Sequence, residues 1–413
     1  MKQISKKYML FSGILFSMTV VFWLVALITR GESISLYFVP DSTNTYMDYF
    51  HMLSNIDGLD PYYQNANYPA LPFVIWRVLY RMIPWNQSNS DGFFLRTNMY
   101  AELGFILLML LCIIIIWETL QYYLRSDSKD IQFVFPFSIL FSGAMLFTIE
   151  RGNIILLSFL FSLLFIALYD SDKKEYRYVA YICLALSAAI KIYPAVLGVL
   201  VLNKKRYKEC LVLIFLGIVF FVLPFFAFGG MDSFLTMLKG IMLSSSENLS
   251  IGFGYNFSFS NFVRIIAAIC GKYIEKLPTW LTIIVPTILC LGTYIANTAV
   301  WKKVYALVMF IVWIPSFSYT YTLLFFVLPL ILFLKDEKEL LDPFYAISFA
   351  LILAPWCLPK VPKVNFINGA EFKFYLTSGM LIVNIVLLCM LLILLVSGII
   401  KHIERKDKPY ENS

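Results

Sequence analysis

The sequence predicts an all-α, polytopic membrane protein. The 413 residues are 60% hydrophobic and only 14% charged, with a mean hydropathy of +0.77. A soluble protein of this size cannot bury so much apolar surface. Apolar runs long enough to cross a bilayer as helices recur along the chain. Short basic loops separate many of these runs, as the cytoplasmic loops of membrane proteins do.

Composition argues against several other classes of protein. The net charge of +7 comes largely from loops between apolar runs, so we expect no nucleic-acid partner. The seven cysteines form no CxxC pattern, and His51 and His402 are the two histidines. We therefore expect no metal site. The sequence contains no Walker A or Rossmann glycine motif, so we expect no cofactor and no built-in nucleotide site.

The basic leader "MKQISKKYML" precedes the first apolar run and predicts a retained first helix with a cytoplasmic N-terminus. Threading the chain from there predicts a single integral membrane domain, 1–413, with about 11 to 13 spans and both termini inside. The outer loops are 30–99 and 229–278, with a further outer segment at 360–374, and 401–413 is a cytoplasmic tail. The later apolar segments are 100–117, 133–149, 154–169, 178–202, 211–228, 280–300, 305–315, 323–334, 343–358 and 375–400.

Segment 178–202 has basic loops at both ends, "DKKEYR" before it and "NKKRYK" after it. Both loops are predicted to be cytoplasmic, so the segment must enter and leave the membrane on one side. Pro194 interrupts a helix, and Lys191 is costly in lipid. We therefore predict a hairpin of two short helices with "KIYP" (191–194) at its outer apex.

The first outer loop concentrates carboxylates. Ser42 or Thr43 can cap a helix that starts just after Asp41, and Asp48 then shares a face with His51. A carboxylate at the outer mouth can deprotonate an acceptor hydroxyl that attacks an activated sugar. Asp41 can equally be a helix start, and the pattern "IDGLDPYY" favours turn roles for Asp57 and Asp60.

The sequence "LPFVIWRVLYRMIPW" in the same loop predicts an amphipathic helix over 71–84 that lies on the membrane surface. Trp76, Leu79 and Tyr80 form one side, and Arg77 and Arg81 form another. The arginines can face anionic head groups, or the helix can be an ordinary interfacial one.

Two cations stand out in or beside apolar segments. Arg151 follows Glu150 at a helix end, and Lys191 lies in "KIYP". Ionisable groups within membrane segments are functional candidates, and the two cations together can hold a phosphate. The alternatives are a local Glu150–Arg151 ion pair, and a Lys191 that hydrogen-bonds the carbonyls freed by Pro194.

The aromatic stretches "GFGYNFSFSNF" (252–262) and "SFSYTYT" (316–322) mix rings with amides and hydroxyls. Asn256 and Tyr319 are the candidate substrate-binding residues within them, because such surfaces suit sugars. Tyrosines are also common at the membrane interface, and that alternative applies above all to 316–322.

Taken in order, "MDYF", "PYYQNANYPALP", "ERGN" and "KIYP" followed by "NKKRYK" resemble glycosyltransferase family 87, of the GT-C superfamily. Its best-known members are polyprenyl-phosphate-mannose-dependent mannosyltransferases. The resemblance implies a GT-C-like bundle, extracytoplasmic transfer from a polyprenyl-phosphate sugar, no metal, and a general-base Asp in the first outer loop. That base maps to Asp48, with Asp41 as the alternative.

The remaining motif residues map in the same way. "RGN" corresponds to Arg151, Gly152 and Asn153, and "KIYP" supplies Lys191 and Tyr193. "YNFS" is similar to a family N-x-S element and supplies Asn256. The resemblance thus implies that these residues bind the donor phosphate or the substrate.

The leading hypothesis is therefore a glycosyltransferase whose partners are a polyprenyl-phosphate sugar donor, a glycan or glycolipid acceptor and the bilayer. Its donor is already lipid-activated, which explains the lack of a nucleotide fold. The alternatives are a flippase or transporter for a lipid-linked sugar, or a glycan polymerase or ligase. A carrier would place its charges along a path open to both sides, whereas the candidate charges here gather toward one face.

Overall fold

The computed structural model describes residues 4–39, 45–56, 61–64, 68–87, 91–125, 127–247, 255–270, 272, 274, 277–357 and 378–406. Regular secondary structure in these ranges is helical, apart from one isolated antiparallel bridge. The α-helices are α1 (Ile4–Ile28), α2 (Met47–Ser54), α3 (Ala70–Tyr80), α4 (Gly92–Leu95), α5 (Met99–Tyr123), α6 (Lys129–Leu140), α7 (Gly143–Arg151), α8 (Ile155–Leu168), α9 (Lys174–Ile190), α10 (Val199–Asn203), α11 (Tyr207–Val222), α12 (Met231–Glu247), α13 (Phe259–Ile269), α14 (Val285–Ala296), α15 (Val300–Trp313), α16 (Val327–Lys335), α17 (Asp342–Leu353) and α18 (Ser378–Lys406).

The predicted all-α, polytopic class is confirmed. Among the described residues, 4 continuous helical stretches are long and apolar enough to cross a membrane, and α6 with α7, bent by 47°, form a fifth candidate. Six further apolar stretches have 10–17 residues, so the predicted number of spans stays a prediction. Shorter 3₁₀ and π turns accompany them: Glu32–Leu36, Pro61–Gln64, Trp85–Gln87, Tyr193–Gly198, Leu223–Ala227, Trp280–Ile284 and Thr320–Phe326.

The chain divides into two compact units. The first comprises Met1–Phe38, Phe141–Ala144 and Ser250–Ser413. The second comprises Val39–Leu140 and Met145–Leu249. Each unit therefore combines segments that are distant in sequence.

In the first unit, charged residues from segments predicted to be cytoplasmic meet in ion pairs. Lys7, from the basic leader, contacts Asp342 at 3.2 Å. Lys302, from "WKK", donates to both carboxylate oxygens of Glu339 in "KDEKE", at 2.7 and 2.6 Å. Lys401, at the start of the tail, donates to the same carboxylate at 2.9 Å. These segments therefore lie together within the first unit, and their cytoplasmic position stays a prediction.

Glu339 is expected to make stability depend on acidity. Burial alone would raise the pKa of its carboxyl, but the hydrogen bonds from Lys302 and Lys401 outweigh burial and hold that pKa below its ordinary value. A depressed folded-state pKa stabilises the fold above the unfolded value, about 4.3, and this contribution is lost as pH falls through the folded value. Thermal unfolding in detergent should therefore show a falling melting temperature below about pH 4.

Glu339→Gln should reduce this fall of the melting temperature in acid (the acid limb), because the titrating carboxyl is gone. It should also lower the melting temperature at neutral pH, because Lys302 is 2% exposed and loses its charged partner. Glu337→Gln, in the same turn but exposed, is the matched control and should leave the limb unchanged. If the melting temperature of Glu339→Gln falls in acid as steeply as that of the wild type, Glu339 does not contribute to this dependence.

In the second unit, the ends of the predicted hairpin lie side by side. Asp170, just before α9, accepts from Lys204 and from Arg206, which follow α10. Arg177 in the first turn of α9 forms a two-point pair with Glu209 on α11, at 3.1 and 2.7 Å. Both ends of the segment are thus held at one level, which confirms the hairpin, while the outer position of its apex stays a prediction.

The break in this hairpin falls at "KIYP", as predicted. α9 has 17 residues and ends one position before Lys191, whose backbone is extended (φ −138°, ψ 124°). The chain returns through the 6-residue 3₁₀ helix Tyr193–Gly198 and the 5 residues of α10. The two arms are about 25 Å and about 20 Å long, so they nearly match. Lys191 therefore lies at the far end from the ion pairs.

The amphipathic helix predicted at 71–84 is α3, which ends at Tyr80. Trp76 is 1% exposed, so this face packs inside the second unit. Arg77 donates to the carbonyl oxygen of Ala227 at 2.9 Å, and its guanidinium lies 4.7 Å from the ring centroid of Phe228. These contacts give Arg77 a role within the protein, and head-group binding stays a prediction.

Candidate active site

Asp48 lies in the first turn of α2, where a main-chain contact fixes its place. The helix that carries Asp48 begins at Met47, and the predicted start just after Asp41 lies outside the described residues. Tyr46 takes a left-handed conformation (φ 60°) before it, and its N–H donates to the carbonyl oxygen of Glu150 at 2.7 Å. The candidate Asp41 lies outside the described residues. α2 is therefore attached at its N-terminus to the C-terminal end of α7.

The turn between α7 and α8 needs a glycine. Gly152 has φ +64°, a conformation that other residues rarely adopt. A Cβ on Gly152 would also lie 3.1 Å from the carbonyl oxygen of Tyr46, 3.1 Å from Cβ of Tyr49 and 3.2 Å from the ring of Phe105. This glycine lets "ERGN" turn tightly against α2 and aim the side chains on either side of it.

Those two flanking side chains hold the carboxylate of Asp48. Arg151 donates from Nη2 to Oδ1 of Asp48. Asn153 donates from Nδ2 to Oδ2 at 2.8 Å. The amide oxygen of Asn153 meanwhile accepts from the N–H of Ile155, the first residue of α8, at 2.9 Å and so satisfies one of the free N–H groups at the start of this helix. Both carboxylate oxygens are thus oriented, and each still has lone pairs for a further donor.

Lys191 completes the cluster from the apex of the hairpin. Its ammonium lies 3.7 Å from the ring centroid of Tyr68, and electrostatic interactions link it to Asp48 and Tyr193. The hydroxyl of Tyr68 accepts from Nδ2 of Asn153 at 3.4 Å. A carboxylate and two cations from three separate segments therefore lie in one cluster.

Three buried serines fix how α8 and α9 pack beneath this cluster. The hydroxyls of Ser158 and Ser187 lie 2.9 Å apart, and those of Ser162 and Ser187 lie 2.8 Å apart. Ser187 also donates to the carbonyl oxygen of Ser158 at 2.7 Å. We call this group the serine clasp. It lies about one turn from both Asn153 and Lys191, so it sets their relative height.

The Glu150–Arg151 alternative does not hold in its simple form. Arg151 makes its ion pair with Asp48. Both carboxylate oxygens of Glu150 are buried and have no hydrogen-bond partner within the described part of the chain. The main chain of Glu150 does contribute to the site, because its carbonyl oxygen accepts from the N–H of Tyr46.

The candidates Asn256 and Tyr319 belong to the first unit, where they form the isolated bridge. The amide of Asn256 is buried and donates to the carbonyl oxygen of Ser316 at 2.8 Å. Its oxygen accepts from the N–H groups of Ser258 and Ser318, at 3.0 and 2.9 Å. Asn256 thus ties the two aromatic stretches together through main-chain bonds, while Tyr319 stays half-buried.

Sequence reasoning missed Tyr68 as a site residue, although it lies within the quoted motif "NANYP". Two signals were available. It directly precedes Pro69, which biases its backbone away from the helical region, and a helix begins immediately afterwards. A side chain held at such a fixed turn is well placed to contribute to a site.

The fold and the cluster together define a multi-pass membrane protein with an oriented carboxylate beside two cations. The model of glycosyltransferase family 87 matches residues 93–325, more than half of the chain. The chain therefore belongs to glycosyltransferase family 87, and the expected family is confirmed. It is a glycosyltransferase of the membrane.

No curated protein and no solved structure matches the chain. The matched segment contains Arg151, Asn153 and Lys191, but Asp48 and Tyr68 precede it. The connection of Asp48 to the family's segment therefore depends on the hydrogen bonds described above.

Proposed function

We propose that the protein transfers a glycosyl residue from a polyprenyl-phosphate sugar to a glycan or glycolipid acceptor at the outer face of the cytoplasmic membrane. In this proposal it is a GT-C-type hexosyltransferase with both termini in the cytoplasm. One observation supports it above the others: Arg151 and Asn153 hold Asp48 beside Lys191.

Asp48 serves as the general base. The acceptor hydroxyl attacks the anomeric carbon of the donor sugar, and its proton passes to a carboxylate oxygen of Asp48. The bond between the anomeric carbon and the phosphate oxygen breaks, and the electron pair leaves with the polyprenyl phosphate. Such a direct displacement inverts the anomeric centre. Asp41 stays the second candidate for this role.

Lys191 and Arg151 stabilise the negative charge that develops on the leaving phosphate. A buried ammonium and a guanidinium are suited to this task, because charge-assisted hydrogen bonds are strong in a site that excludes water. Arg151 also orients the base, so one residue connects the two halves of the reaction. Asn153 and Tyr193 complete the donor site as neighbours of these charges.

Asn256 and Tyr319 stay candidate substrate-binding residues in this proposal. Tyr319 offers a half-buried ring for a sugar face. Asn256 acts through the main chain by holding the stretch that carries Tyr319. The donor carries its own lipid, which fits a chain whose outer loops are its largest polar segments.

A donor-class assay tests the proposal. Purified protein in liposomes should transfer labelled hexose from polyprenyl-phosphate hexose, and should leave nucleotide-activated hexose unused. The products are separated by chromatography, and the anomeric configuration is read by NMR. Transfer from the nucleotide sugar, or movement of the lipid-linked sugar across the bilayer without transfer, would contradict the proposal.

A further inference from the structure

Tyr68 contacts more of the cluster than any role above requires. Its hydroxyl accepts from Asn153 at 3.4 Å, and its ring lies 3.7 Å from the ammonium of Lys191. The ring meets Trp76 edge-on with centroids 6.3 Å apart. Its carbonyl oxygen accepts from the hydroxyl of Tyr62 at 2.9 Å. Tyr68 is therefore held by its main chain and its ring, while its hydroxyl lies among charged groups.

The hydrogen of this hydroxyl is not used by these contacts. Asn153 is the donor in its bond to Tyr68, and the described residues provide no acceptor for the phenolic O–H. Burial raises the pKa of Tyr68, and the charge of Asp48 raises it further, against the smaller opposing effects of Asn153 and Arg151. Tyr68 thus keeps its proton and can donate a hydrogen bond.

The ring and the hydroxyl point to the same ligand. An ammonium above an aromatic face is held weakly, by about 0.5–2 kcal/mol, and a phosphate oxygen binds it more strongly. A phosphate that contacts Lys191 also comes within reach of a phenolic donor on the ring below. Neutral sugar hydroxyls would bind the ammonium more weakly than a charged phosphate does.

We propose that Tyr68 is a further donor-binding residue: its hydroxyl donates to the phosphate of the polyprenyl-phosphate donor, and its ring places Lys191 against the same phosphate. This inference rests on the proposed function and assigns a residue that precedes the family's matched segment. It predicts that the hydroxyl and the ring contribute separately.

Binding of two lipids separates these contributions. The ligands are polyprenyl phosphate and the uncharged polyprenol of the same length, titrated by calorimetry into the purified full-length protein in detergent. Tyr68→Phe should weaken the binding of polyprenyl phosphate roughly ten-fold or more, because the variant loses a hydrogen bond to a charged group. Tyr68→Leu should weaken this binding further, because the ammonium of Lys191 also loses its contact with the aromatic ring. Polyprenol should bind all three proteins equally.

Tyr181→Phe is the matched control, since it removes a buried tyrosine hydroxyl in the middle of α9 that donates to Glu209. It should bind both lipids as wild type does. If wild type binds the phosphate no better than polyprenol, the proposed function itself fails. If wild type prefers the phosphate and Tyr68→Phe keeps that preference in full, Tyr68 is not a phosphate ligand. Tyr68→Phe retains the ring, so it decides the question even if Tyr68→Leu does not fold.

Discussion

Asp48→Asn is expected to lower the rate of sugar transfer by about 10²- to 10⁴-fold, the usual contribution of a positioned general base. Asparagine has nearly the shape of aspartate, and its oxygen can still accept from Arg151 or Asn153. The substitution therefore removes proton acceptance while it keeps much of the packing. Steady-state kinetics with polyprenyl-phosphate hexose measure the effect, which should fall mainly on kcat.

Asp170→Asn provides the matched comparison. Asp170 is also paired with basic side chains, Lys204 and Arg206, but at the opposite end of the hairpin. The same substitution there should leave kcat near the wild-type value. Full activity in Asp48→Asn would show that Asp48 is not the general base, and Asp41 would then be the candidate to test.

Gly152→Ala is expected to reduce transfer on the order of 10- to 100-fold. Alanine at φ +64° carries a strain of roughly 1–2 kcal/mol. Its Cβ would also press on the carbonyl oxygen of Tyr46 and on Tyr49, at 3.1 Å each. α2 would have to move away from the turn, and the carboxylate of Asp48 would leave the donors that orient it. Transfer rate and thermal unfolding in detergent are the two measurements.

Gly230→Ala separates strain from crowding. Gly230 has nearly the same backbone angle, φ +63°, but a Cβ there approaches only the ring of Phe226, at 3.8 Å. This variant should lose a similar amount of stability from the backbone and keep its transfer rate. If both variants lose activity equally, close packing at Gly152 is not what positions Asp48.

The features that sequence predicted are local ones. Hydropathy and basic flanks predicted an all-α membrane protein and the hairpin with its break at Lys191. Motif spacing placed Arg151 and Asn153 in a turn between two helices. Each of these depends on residues within a few turns of one another, where periodicity and loop chemistry carry information.

The contacts that complete the candidate site are long-range, and this is why sequence did not supply them. Arg151 and Asp48 are 103 positions apart, and no periodic pattern connects such residues. The ion pair of Arg151 is with Asp48 and not with Glu150, while its role in binding a phosphate stays a prediction. The amide of Asn256 bonds to the main chain around Ser316 and Ser318, while its role in binding substrate stays a prediction. Both outcomes depend on tertiary packing.

The serine clasp has a consequence for how this site can move. Its hydroxyls and carbonyl oxygens pair in one register of α8 against α9, so sliding the helices by a single residue would break several hydrogen bonds at once. The position of Lys191 relative to Asn153 along the helix axes can therefore change only by a shift of register between α8 and α9, and not by gradual sliding. Adaptation to donors of different size should come from the side chains and turns above the clasp, while the two helices keep their alignment.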